Sequence, residues 1–414
     1  MSSGDTAWLL ICAALVMLMT PALALFYGGM VQGKNVLSTF MHSFMALGLV
    51  TVQFAVIGYS LCFGPSVHGI IGGLDFLGLQ GVGVEAAGAA NAAAPTTAPH
   101  LAFFVYQCMF AVIAPALISG AYAERFKFSS YAVFTVLWAT LVYDPIAHWS
   151  WASGGWLMKL GAIDFAGGTV VHLSSGVSAL VVAVMLGKRK GYPSVRHPPH
   201  NLTLTLVGAG ILWFGWFGFN AGGASLSYGR ASLALVNTHL AAATGALAWV
   251  IVEGMRVKKA TALGFASGLV AGLVAITPAA GFVSPQGALA IGAIAGTVCY
   301  GGVLLKSRLG YDDALDAFGV HGIGGAAGAL LTGVFAVAAY GGNEGGISLL
   351  HKQAIGVIAA TAWSALVTFV ILKGIDLTIG LRVDADAENN GLDSALHGES
   401  AYAGPGSVAH GVVD

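Results

Sequence analysis

The sequence predicts an all-α membrane protein of eleven transmembrane helices, arranged as an inverted 5+5 helix repeat plus a long final helix. Three observations predict it: a charge-poor apolar composition, eleven apolar stretches of spanning length, and a one-sided distribution of lysine and arginine.

Of 414 residues, 57% are hydrophobic and 8% charged, far below the roughly 25% charged residues of soluble domains. A formal net charge of -1 offers no basic surface for nucleic acid. The 60 glycines suit helices that pack through small residues, as membrane interfaces favour. Cys12, Cys62, Cys108 and Cys299 lie in or beside apolar segments at unrelated spacings, so they read as packing residues, with neither a disulfide framework nor a metal pattern. No cofactor motif is present.

The apolar stretches fall near 7–30, 38–62, 101–123, 129–150, 163–187, 201–222, 232–252, 260–280, 286–305, 313–338 and 351–379, separated by polar or Gly/Pro-rich turns. In the first, Ala22-Leu23-Ala24 resembles a signal cleavage site, but no positive side chain precedes the apolar run, which continues into Leu25-Phe26-Tyr27. It is read as an uncleaved span. Between the others, one set of loops, with the C-terminal end, carries residues such as Lys34, Arg125, Lys127, Lys188, Arg189, Lys190, Arg196, Arg256 and Arg382. Only Lys159, Arg230 and Lys352 of the 17 basic residues remain for the other set. Basic loops stay cytoplasmic, so the N-terminus is expected outside, residues 1–380 are expected to form the transmembrane domain, and 381–414 a cytoplasmic tail.

A repeat of five spans must insert in opposite orientations, which places a site at the midplane between the halves. Span five reads from Asp164 to His172 and span ten from Asp313 to His321, an acid eight residues before a histidine in each. Eight residues are about 12 Å of helix, so each histidine is expected near mid-membrane, reached from opposite sides.

The ionisable groups inside the spans are His42, Asp144, His148, Asp164, His172, His239, Asp316 and His321, and such groups in lipid are functional candidates. His42, His148 and His239 read as cross-helix hydrogen-bonding residues; the paired His172 and His321 read as functional. Asp164 is either a plain helix cap or a charged member of a site. Trp213-Phe-Gly-Trp-Phe-Gly-Phe219, Trp149, Trp151 and Phe110 could line a vestibule that attracts a small cation by cation–π contact, or form an interfacial belt, which is the reading for Trp149 and Trp156.

Phe26-YGG-Met30 with GKN at 33–35, Ala123-Glu124-Arg125, Asp164-FAGGTVV-His172, WFGFNAG at 216–222, Thr277-Pro278-Ala279 and FGVHG at 318–322 resemble the ammonium transporter family, which includes the Rhesus proteins. Gly380-Leu-Arg-Val, Gly391-Leu-Asp and His397-Gly-Glu-Ser-Ala-Tyr402 resemble its bacterial and plant branch. The resemblance runs in order from about residue 21 to residue 402.

The resemblance implies a homotrimer in the cell inner (plasma) membrane, with one narrow pore per subunit, carrying ammonium or methylammonium. It assigns Trp151 and Phe110 to an outer cation site, Phe110 and Phe219 to stacked rings closing the entrance, and His172 with His321 to a hydrogen-bonded pair lining the conduit. Asp164 would support the ammonium site without being a direct ligand. The tail and cytoplasmic loops resemble those that bind a PII-type signalling protein. One departure stands out. Family members commonly carry serine after Phe-Asn-X-Gly, but here Gly223 follows, so a hydroxyl acceptor is lost. Water or Ser225 could recover part of it, and Gly223→Ser is expected to tighten ammonium affinity unless residue 223 needs a positive φ.

Rival functions are narrower. An enzyme would need a convergent nucleophile, metal set or acid–base cluster, and no HExxH, GxSxG or CxxC occurs. An ammonium sensor on the same fold is the alternative, although a tail of roughly 35 residues is short for an output domain.

Overall fold

The computed structural model describes residues 1–87, 95–195, 197–224 and 228–402. Arg196 of the basic loops, Ser225 beyond Gly223 and tail residues 403–414 lie outside the described residues.

Among the described residues, ten helical segments are long and apolar enough to cross a membrane, and each overlies one of the apolar stretches. They are α1 (Ser3–Met30), α2 (Gly33–Phe63), α3 (His100–Tyr122), α4 (Phe128–Leu160, interrupted after Trp151), α5 (Gly168–Leu186), α6 (Leu202–Gly222) and α7 (Gly229–Val257), then α9 (Pro285–Leu309), α10 (Phe318–Phe335) and α11 (Ile347–Thr378). The stretch near 260–280 holds a shorter helix, α8 (Ala262–Ile276). Pro278, which has no N–H to donate, stops its hydrogen-bond ladder. The chain also contains a minimal hairpin that apolar periodicity could not reveal, Ser66–Val67 paired with Ile71–Gly72.

Local chemistry sets the helix ends. Ser2, Asn201, Thr261 and Ser284 cap α1, α6, α8 and α9 with side-chain oxygens, and Pro285 opens α9 where an N–H would be unused anyway. Gly310 closes α9 at φ 76°, in the left-handed region. Among the described residues, four π-helical turns interrupt the membrane-length segments, at Phe54–Gly58, Ala139–Tyr143, Gly168–Leu173 and Phe318–Gly322, and a fifth lies in the tail at Asp393–His397.

In the bundle α1 packs along α6, α7 along α8 and α9, and α5 against α3 and α10. At the crossing of α5 and α10 a Cβ on Gly176 would overlap the backbone of Gly322, and one on Gly325 would fall 2.7 Å from the Leu173 amide nitrogen. Glycine lets these two backbones touch. The four cysteines are buried and free, consistent with packing.

Residues 381–393 are stitched to the interhelical loops of one face. Lys127 N–H donates to Leu381 O and Val383 N–H to Arg125 O. Leu392 N–H donates to Asn35 Oδ1 at 2.8 Å, and Asp393 Oδ1 accepts from Ser38 N–H at 2.8 Å. Arg382 binds Glu388 of α12 (Ala385–Asn390) through Nη2 at 2.8 Å. This end is the tail face; the opposite end carries the hairpin and is the vestibule face.

Candidate functional site

At the vestibule face, a cavity of about 390 Å³ is lined by Phe103, Tyr106, Gln107, Phe110, Ser150, Trp151, Asp164, Phe165, Gly223, Arg230 and Phe282 among others. Its floor is aromatic. The Phe110 and Phe219 rings stack with centroids 4.1 Å apart and an interplanar angle of 24°. Trp151 meets Phe110 edge-on at 5.9 Å, and its Nε1–H is fixed by Asp164 O at 2.9 Å. Tyr106 hydroxyl donates to Phe219 O at 2.7 Å, pinning the main chain under the second ring.

Asp164 resolves toward the cap. Its Oδ1 accepts from Gly167 and Gly168 N–H, both at 2.8 Å, and its Oδ2 from Thr169 at 2.8 Å and Val170 at 3.2 Å. The carboxylate therefore satisfies the orphan donors at the start of α5 and ties the Trp151-bearing segment to it. Gly167 adopts φ 107°, a conformation that requires glycine, and Gly168 leaves no room for a Cβ against Pro278.

Below the stacked rings, α5 and α10 bring His172 and His321 together. Their Nδ1 atoms are 3.3 Å apart and the rings lie nearly parallel, 5.3 Å between centroids. One Nδ1 must donate and the other accept, which fixes complementary tautomers. Both residues are buried, at 1% and 4% exposure. His172 also stacks on Trp216 at 5.2 Å, and Trp216 Nε1–H donates to Thr277 Oγ1 at 2.9 Å. A narrow cavity of about 10 Å³, lined by Phe26, Leu117, Val270, Trp216 and Phe219, contains both imidazoles, room for about one water. A second of about 10 Å³ continues from His321 past Tyr27 and Val320 to Asp316. Asp316 sits at φ 63° and pairs with Lys306 Nζ at 2.5 Å. The first two cavities meet at the stacked Phe110 and Phe219 rings, and the second and third share Phe26, Val270 and His321.

The structure places all six residues expected in the site around the first two of these cavities, Phe110, Trp151 and Asp164 at the first and Phe219, His172 and His321 at the second. Gly223 lines the first too, but a Cβ there would fall 2.7 Å from Phe165 O and 3.1 Å from Asn220 O, although its φ of -59° is ordinary. Space, and not φ, opposes the serine that sequence reasoning would restore. Two further expectations need correcting. Neither His42 ring nitrogen has a hydrogen-bond partner among the described residues; the ring packs edge-on against Tyr122 and Tyr131 at 5.3 and 4.6 Å. Trp149 is buried, donates from Nε1 to Ile70 O at 2.7 Å and packs on Trp156 and Trp363, so it is no exposed belt residue. His148 does bond across segments, to Cys62 O and Ser66 Oγ, both at 2.8 Å. His239 is exposed and stacks on Trp213. Sequence reasoning left Tyr106, Gln107 and Ser150 without a role and Trp216 undistinguished within its aromatic run. Helical spacing was the available signal: Trp216 and Phe219 are three apart on one face, while Trp213 and Phe217 turn to His239.

The tail face is ionic. Arg189 grips Asp312 with two bonds of 2.9 Å and Glu124 with one of 2.8 Å. Glu124 also accepts from Gln32 N–H and Asn35 Nδ2. Burial pushes both carboxyls up, but the Arg189 guanidinium and these hydrogen bonds outweigh it and hold both below the usual carboxylate range.

The family model described as Ammonium Transporter Family matches residues 7–402. An ammonium transporter of Bacillus subtilis is 51% identical over 409 residues, covering 97% of this chain and 99% of that protein. The crystal structure of Saccharomyces cerevisiae Mep2 superposes with a TM-score of 0.86 at 38% identity, covering 93% of this chain and 88% of that one. A structure described as a sensor Amt protein gives 0.88 at 32% identity, covering 95% and 98%.

Proposed function

This chain belongs to the ammonium transporter family, a family of multi-pass membrane transporters and not of enzymes, and from that premise we propose that it selects ammonium at the aromatic vestibule and conducts ammonia past His172 and His321. The observation that carries this reading is the row of three cavities with the paired imidazoles inside the middle one. Ammonium and potassium match in size and charge, so an aromatic site with hydrogen-bond acceptors selects the ion that can donate. The narrow apolar segment below penalises a cation, whereas neutral ammonia crosses it cheaply. Deprotonation near the Phe110/Phe219 constriction, with the imidazole pair as a relay, reconciles selection with flux.

Eleven crossings follow if α8 also spans, helped by the irregular segment 277–282 that extends it. With the basic loops cytoplasmic, the vestibule face is outer and the tail face inner, in a plasma membrane. The exposed apolar side chains of the single subunit, such as Phe214, Leu247 and Ile358, suit lipid and the packing of a homotrimer. The tail face is the surface for a PII-type regulator; purified PII-type protein without effect on flux, and its absence from pull-downs of nitrogen-replete cells, would remove that partner.

The deciding experiment is ammonium and methylammonium flux into liposomes reconstituted with the full chain, with potassium as competitor. Saturable flux that potassium does not inhibit is expected. Intact ammonium binding with no flux or current would replace the transporter with a sensor.

A further inference from the structure

The vestibule wall carries several polar side chains, and the protein uses most of them itself. Asp164 is saturated by four backbone N–H groups. Arg230 donates from Nε to Tyr340 O, and Asn343 from Nδ2 to Gly341 O. The Tyr106 hydroxyl and the Trp151 indole N–H are spent on carbonyls. Two groups are left over. Gln107 Oε1 and Ser150 Oγ are shielded from solvent and have no hydrogen-bond partner among the described residues, and both residues belong to the wall of the cavity, Ser150 standing between it and a small pocket beside Gln353. Buried polar groups are nearly always paired, and an unpaired one is destabilising, so two in one wall call for a ligand.

Position 223 supplies the second observation. The place where a hydroxyl-bearing side chain would start is crowded by the Phe165 carbonyl and the Asn220 carbonyl, so no side-chain acceptor reaches the vestibule from there and only main-chain carbonyls stand at that point. The cavity still needs acceptors, because aromatic faces alone attract any small cation and do not count its N–H groups.

We propose that Gln107 and Ser150 are the side-chain hydrogen-bond acceptors for the entering cation in this chain, replacing a hydroxyl at residue 223; this rests on reading the vestibule as an ammonium entry site. Ser150 immediately precedes Trp151 on α4, and Gln107 lies one turn before Phe110 on α3, so each acceptor is carried by the same helix as an aromatic wall. A half-turn of the Gln107 amide exchanges oxygen for nitrogen, letting one side chain accept from the cation or donate to a water it displaces.

The test is the concentration dependence of ammonium uptake by reconstituted full-length protein, with potassium competition. A hydrogen bond to a charged group is worth about tenfold or more in affinity. Gln107→Leu and Ser150→Ala should therefore each raise the half-saturating ammonium concentration by about tenfold, weaken discrimination against potassium, and leave the maximal rate nearly unchanged. Ser150→Thr, which keeps the hydroxyl, should restore the wild-type value, and Gly223→Ser should not rescue Ser150→Ala. If Gln107→Leu fails to assemble, Gln107→Met, of similar length, is read instead. Unchanged half-saturation in both variants, while Trp151→Leu raises it, overturns the acceptors and leaves the entry site standing; so does a fall in maximal rate alone, which marks a packing role. If Trp151→Leu also has no effect, the entry-site reading itself fails.

Discussion

The segments Asp164–His172 and Asp313–His321 have the same plan: an acid that caps the next turn, a π-helical turn, and a histidine within it. They differ in how the acid is used. Asp164 takes four N–H groups and, among the described residues, has no cationic side chain bonded to it. Asp313 takes two, from Ala317 at 3.1 Å and Phe318 at 2.8 Å, and its surroundings are charged, with Lys306 Nζ donating to Asp313 O at 3.1 Å and pairing with Asp316. One end is therefore a wide aromatic bowl held by a carboxylate bonded to main-chain N–H groups; the other is a slit ending in an ion pair. The acid of the first segment is thus held by main-chain donors, whereas that of the second sits beside a lysine and a second aspartate.

The comparison breaks most severely at Asp164. Asp164→Ala orphans four buried N–H groups where Asp313→Ala orphans two. At roughly 1–3 kcal/mol for each unsatisfied group, the first should abolish flux and cost about twice as much stability as the second. Thermal unfolding in detergent measures both, and equal losses would mean that the two caps are equivalent.

The tail face comes next. Arg189→Met leaves Glu124 and Asp312 buried without their guanidinium, a loss of about 3–5 kcal/mol. In the wild type both carboxyls are held low, so their stabilisation is fully present above the ordinary carboxylate range and disappears as pH falls through their lowered values. In the variant the sign should reverse, acidification relieving the repulsion. Protease sensitivity of residues 381–402 against pH reads the docking of the tail directly.

Smaller in energy but decisive for function is the pair between the two ends. His172→Ala or His321→Ala should change flux or its ion selectivity on the order of tenfold, about 1.4 kcal/mol, while the oligomer stays assembled. Wild-type flux and selectivity in both variants would dismiss the imidazoles from the path. Smallest is Lys306→Met. Its bond to Asp316 is partly exposed, 20% and 25% for the two side chains, so stability should move by about 0–1 kcal/mol, and any larger change in flux belongs to the slit.

Much of this was legible beforehand, for identifiable reasons. Each apolar stretch holds a helix because lipid-spanning length is written in hydropathy. The π-turns were invisible, since a helix apolar on every side has no phase to lose. The same blindness hid Gln107, Ser150 and the inward turn of Trp216, whereas His172 and His321 stood out by their matched distance from an acid. At Gly223 the sequence shows that a side-chain hydroxyl is absent, but only the neighbouring Phe165 carbonyl reveals why one cannot simply be put back.

At Gly176 and Gly322 the helices bearing the two histidines meet main chain to main chain. A bearing surface without side chains has no rotamers to adjust, so the spacing of the two backbones that carry the imidazoles is held like the jaws of a locked caliper. Even Gly176→Ala would have to spread the jaws, shifting the Nδ1–Nδ1 distance before it altered any polar group.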